Sequence, residues 1–79
     1  MKYKIEYIRI DYVDNTGAYS YSWFGKYADG INELKHKLKD ISNTDDLIRF
    51  RKIYKIYKDF HHIDVTHKYI DWGGKLKCW

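Results

Sequence analysis

The sequence predicts an α+β fold: a β-hairpin and a C-terminal strand form a small antiparallel sheet, with two helices on one face, in the order ββααβ. Three observations predict it. Tyr19, Tyr21 and Trp23 alternate with Ser20 and Ser22 directly after the turn signal Asp14-Asn15-Thr16-Gly17. Ile31, Leu34, Leu38 and Ile41 recur at spacings of three, four and three, one stripe of a helix. Leu47 to Phe60, LIRFRKIYKIYKDF, separates apolar from charged residues when wound at about 100° per residue.

Taken in order, Lys2 to Val13 reads as the first strand. Ile5 and Tyr7 share one face, Ile8, Ile10 and Tyr12 the other, and this phase change near Tyr7 points to a β-bulge or a central strand covered on both sides. Gly17 closes the turn by taking a left-handed conformation, and Ala18 to Tyr27 returns as the second strand. Asp29 is placed to cap a helix running to Ile41, with Glu33 and Lys37 four apart in the favourable order.

In Leu47 to Phe60 the helical half-wheel holds Leu47, Phe50, Ile53, Tyr54, Ile56, Tyr57 and Phe60, and the opposite arc holds Arg51, Lys52, Lys55, Lys58 and Asp59. Asn43 or Thr44 can cap this helix, with Asp45 and Asp46 in its first turn. A strand competes, because Ile48, Phe50, Tyr54, Ile56 and Phe60 alternate and the composition is β-branched and aromatic. The order then becomes ββαββ, still α+β. Ile63 to Trp72 reads as the last strand, ended by Gly73-Gly74, and residues 73–79 form a short basic tail of one single domain.

A chain of 79 residues buries only about 60% of its unfolded surface, so large side chains carry its stability. Aromatic residues make up 19% of it. Cys78, with no second cysteine to pair with, argues for a reducing compartment, the cytoplasm or a host cytoplasm. No segment has the apolar length of a signal peptide core or a membrane span. The net charge of +4 is uneven: residues 1–46 carry seven Lys/Arg against eight Asp/Glu, and residues 47–79 carry eight against three. A one-sided field of this kind selects partners.

Few chemistries are signalled. His61, His62, His67 and Cys78 crowd the C-terminal part, but their spacing matches no zinc pattern, so no metal and no cofactor are expected. A Cys–His nucleophile pair needs a deep cleft that so short a chain has little room to build, and no Gly-rich phosphate loop occurs. The expectation is a non-enzyme. Two binding surfaces remain: a basic face of Arg49, Arg51, Lys52, Lys55 and Lys58, and an aromatic face of Tyr19, Tyr21 and Trp23. Tyr and Trp dominate protein interfaces, which favours a protein partner with an acidic surface. Nucleic acid is the alternative, bound with little sequence preference, since Lys outnumbers Arg twelve to three and Gln is absent. In size and style the chain resembles the small accessory proteins of bacteria and their phages, many of which bind and inhibit a host or defence enzyme.

Overall fold

Tyr7 and Ile8, neighbours in sequence, are both buried, and between them they show how the chain is layered. They belong to β1 (Lys2–Val13), an interior strand whose two faces meet different surroundings. β1 pairs antiparallel with β2 (Tyr19–Asp29) on one side and with β3 (Ile48–Ile56) on the other. A short β4 (His62–Asp64) extends β3, giving a four-stranded sheet in the order β2-β1-β3-β4. The helix α1 (Ile31–Thr44) lies between β2 and β3 in sequence. This computed structural model describes residues 2–58 and 60–77.

The ββααβ arrangement with two helices is therefore incorrect: Leu47 to Phe60 forms no helix, and the element order is β-β-α-β-β. The cause is a bulge. Tyr7 pairs with Phe50 and Glu6 with Lys52, so Arg51 is an extra residue in β3. It turns Ile48, Phe50 and Ile53 to the same side, where all three are buried with α1. Apolar residues two and then three apart imitate the spacing of a helical stripe. Asp45 also serves a turn rather than a helix: its Oδ1 accepts from Leu47 N at 2.9 Å, and its carbonyl from Ile48 N at 3.3 Å.

The hairpin forms over the expected residues. Asp14 Oδ1 accepts from Thr16 N (2.9 Å), Thr16 Oγ1 (2.6 Å) and Ala18 N (3.1 Å), and Gly17 sits at φ 87°. Beyond Ile10, whose N–H donates to Leu47 O at 3.0 Å, the hairpin pairs with no third strand among the described residues and projects as a two-stranded ribbon. The molecule is accordingly long, 46 × 25 × 19 Å. Asp29 does not cap α1. Gly30, at φ 93°, takes the N-cap position, and Glu33 Oε2 reaches back to accept from Asp29 N at 2.7 Å.

Leu34, Leu38 and Ile41 of α1 pack on Tyr3, Ile5, Tyr7, Ala28, Phe50 and Ile53, which defines a covered face of the sheet. Fully burying side chains such as Ile5, Leu34, Leu38 and Ile53 stabilises the fold by about 1.5–3 kcal/mol each. The other face has no helix. There Ile8 is fully buried, with Trp23 on β2 and Arg49 on β3 directly opposite it in register.

The expected strand over Ile63 to Trp72 stops after Asp64. Thr66 donates its N–H (2.9 Å) and its hydroxyl (2.5 Å) to Asp64 Oδ1, which bends the chain into a 3-10 turn over Thr66–Lys68. Thr66 Oγ1 then accepts from Ile53 N at 2.9 Å, replacing a strand carbonyl in the ladder. Residues 69–77, which include most of the expected basic tail at 73–79, form a second hairpin. Ile70 bridges Leu76, Lys77 N donates to Tyr69 O (2.8 Å), and Asp71 N to Lys75 O (2.8 Å). Cys78 and Trp79 lie outside the described residues.

Candidate functional site

The second hairpin turns at Asp71-Trp72-Gly73-Gly74 by the same device as the first. Asp71 Oδ1 accepts from Gly73 N (2.9 Å) and Lys75 N (3.0 Å), and Gly74 sits at φ 79°. Gly74 docks against β3 at the bulge, its carbonyl accepting from Phe50 N at 2.8 Å. A Cβ there would lie 3.2 Å from both Arg49 Cβ and Phe50 O. The docked hairpin, the Arg49–Lys52 stretch of β3, and Ile10 with Tyr19 of the first hairpin enclose an open groove of ≈ 770 Å³. Trp72, at the tip of the turn, is completely exposed on its rim.

The groove has a basic character with a specific origin. Of the cations that line it, Arg49 donates from Nη1 to the carbonyls of Asp46 (2.6 Å) and Ile48 (2.9 Å), and Lys77 Nζ to His67 O (2.5 Å); outside the lining, Lys75 Nζ donates to Asp46 O (2.9 Å). Carbonyls orient these cations without cancelling their charge. Arg49, Arg51, Lys75 and Lys77 make no ion pair with a carboxylate among the described residues. Lys52 differs: it pairs with Asp64 at 3.0 Å. The Thr66 hydroxyl, then the Thr66 N–H and Lys52, hold the Asp64 carboxyl at about 2, so this pair stays charged and mutually neutralised.

The five residues expected to form a basic face are thus dispersed. Arg49 and Lys52 face the open side, opposite Ile8 and Glu6 of β1, and Arg51 occupies the bulge. Lys55 pairs with Tyr3 on the covered side, its ammonium 5.5 Å from the Tyr57 ring centroid, and Lys58 lies in the turn after β3. The aromatic residues are brought together. Tyr19, Tyr21 and Trp23 form a ladder on the open face, with ring centroids 5.6 and 5.9 Å apart along it. Tyr27 continues the row, 5.7 Å from Lys2 Nζ, whereas Tyr3 is buried under α1.

Trp72, Lys75 and Lys77 stand outside the two faces read from the sequence, which places Lys75 and Lys77, with Lys68, only as an extension of the basic patch and Trp72 only as a neighbour of the aromatic one. The Asp-x-x-Gly spacing that marks residues 14–17 recurs at 71–74 and signals the turn that presents them. His62 Nδ1 donates to Phe60 O (2.8 Å), and the ring stands edge-on to Tyr54. Among the described residues, no group of three or more His, Cys, Asp or Glu could hold a metal ion. No helix among them is long and apolar enough to cross a membrane. Comparison with models of known families, with curated proteins and with solved structures finds no match to this chain.

Proposed function

We propose that the protein is a small non-catalytic binding module whose uncovered sheet face takes a protein partner with an acidic surface. One observation carries this reading: the Tyr19-Tyr21-Trp23 ladder and the cations of the groove share a face that α1 leaves open. Aromatic rings supply large contact area at low entropic cost, and desolvated cations beside them favour carboxylates. An inhibitor of phage or mobile-element type, acting on a host or defence protein, is the kind of molecule its size and style resemble. Affinity capture from the native host, with and without nuclease, tests the reading. A protein partner that survives nuclease, and that Trp23→Ala releases, is the expected result. Recovery of nucleic acid alone would overturn it.

A second reading is favoured by a separate observation: Trp72 stands exposed on the rim of a groove whose Arg49, Arg51 and Lys77 have no carboxylate partner among the described residues. Stacking on an aromatic ring next to basic side chains is how single strands are held without sequence preference. On this reading, log affinity for a single strand falls with log salt by about 0.7 per phosphate contacted. Trp72→Ala would weaken that binding, whereas Trp23→Ala would be the more damaging change for a protein partner centred on the ladder.

A further inference from the structure

The outer edge of β2 is the least protected part of the sheet. Tyr27 O is on that edge, where Lys37 Nζ takes it at 2.6 Å. Backbone groups alternate sides along a strand, so Gly25, Trp23, Tyr21 and Tyr19 also present their N–H and C=O outward. The turn agrees, since Asp14 N bonds Ala18 O and leaves the next residue, Tyr19, facing away from β1. Edges are ordinarily blunted by charge, proline, bulges or brevity. From Ala18 to Gly25, AYSYSWFG, there is no charge and no proline, and the single irregularity of this pairing places its extra residue, Asp11, in β1. The opposite edge, β4, is three residues long and ends in the Thr66 turn.

We propose that two copies of this chain pair through Tyr19–Gly25, antiparallel about a two-fold axis, to continue the sheet from four strands to eight. The segment fits itself. Antiparallel registers centred between Tyr21 and Trp23 set uncharged residue against uncharged residue, and they place both aromatic ladders on one surface. Between Ala18 and Gly25 the strand itself supplies no cation to recruit an acidic strand. Lys37 closes the edge at Tyr27, and α1 follows from that end of β2. The two-fold axis therefore carries the partner's helix to the far end of the joint, away from the first. This pairing is independent of the proposed partner and would double the surface offered to it.

Sedimentation of the full chain from micromolar to millimolar concentration, with residue-resolved amide exchange over the same range, tests the proposal. The expected result is a doubling of mass, with exchange at Tyr21, Trp23 and Gly25 slowing as the dimer fills. Tyr21→Pro deletes an outward N–H that the monomer does not use, so the variant is expected to fold and remain monomeric. Tyr21→Ala keeps the amide and is expected still to dimerise. A monomer at millimolar concentration, a dimer indifferent to Tyr21→Pro, or two variants equally monomeric would overturn strand pairing. Should Tyr21→Pro fail to fold, the concentration dependence of exchange in the unaltered chain decides: unchanged exchange at the edge overturns the proposal.

Discussion

Single aspartates do much of the turning in a chain that has no proline. Asp14, Asp45, Asp64 and Asp71 each accept from a backbone N–H two residues ahead. Asp64 is the most strongly shifted, from the ordinary 3.8 to about 2. Because its folded value lies below its unfolded one, its contribution is complete at neutral pH and is lost as pH falls from about 4 toward 2. The carboxyl is half exposed, so screening keeps this contribution small. Asp64→Asn keeps an acceptor for Thr66 but removes the charge. It should melt below the parent at neutral pH, with the gap closing toward pH 2; a gap independent of pH would exclude the charge as the cause. The two turn glycines make a second comparison. Gly17→Ala meets only the left-handed backbone, costing about 1–2 kcal/mol. Gly74→Ala meets that strain and also crowds Arg49 and Phe50, so chemical denaturation should find it the more destabilising.

At the scale of elements, β3 is held by three different partners along its outer edge. β4 pairs with Tyr54–Ile56, Thr66 Oγ1 serves Ile53 N, and Gly74 O serves Phe50 N. A strand interrupted by a bulge is completed by a hydroxyl and a docked hairpin. Thr66→Val removes the hydroxyl at nearly constant shape and leaves the partly buried Ile53 N–H without its acceptor. The expected loss is about 1–3 kcal/mol in urea unfolding, where Thr66→Ser should restore most of it. The covered and open faces also answer differently to mutation. Leu38→Ala, at a fully buried position of α1, should cost about 2–5 kcal/mol.

For the whole molecule, what matters is that one face of the sheet is spent on the core and the other is not. Trp23 is 59% exposed, although its cross-strand partner Ile8 is fully buried. Trp23→Ala should therefore cost far less than the about 3–5 kcal/mol of a buried aromatic. Its effect on binding should exceed about 2 kcal/mol if the ladder is the centre of the interface. Thermal melting beside a binding titration separates the two, and an unfolded variant would reassign Trp23 to the core. Arg51→Glu with Lys77→Glu reverses two cations that no carboxylate among the described residues holds. Melting should change little, while association with an acidic partner slows and loses its salt dependence. Binding unaffected by the reversal would leave the groove as a solvated surface.

The local elements could be read from residues alone where one short-range rule decides. The Asp-Asn-Thr-Gly turn with alternating Tyr and Trp specifies its hairpin, and the stripe from Ile31 to Ile41 specifies its helix, because in both the information lies within a few residues. The aromatic half of the candidate site was legible for the same reason: Tyr19, Tyr21 and Trp23 share a face whatever packs on the other side. The basic half was not. Whether Leu47–Phe60 winds or extends is decided by β1, whose paired residues lie 39 to 54 positions away and whose ladder accepts the segment only with Arg51 bulged. That long-range pairing scatters the five expected cations. The contact of Gly74 with Phe50 then brings Lys77 and Trp72 to the groove, a juxtaposition that no local pattern encodes.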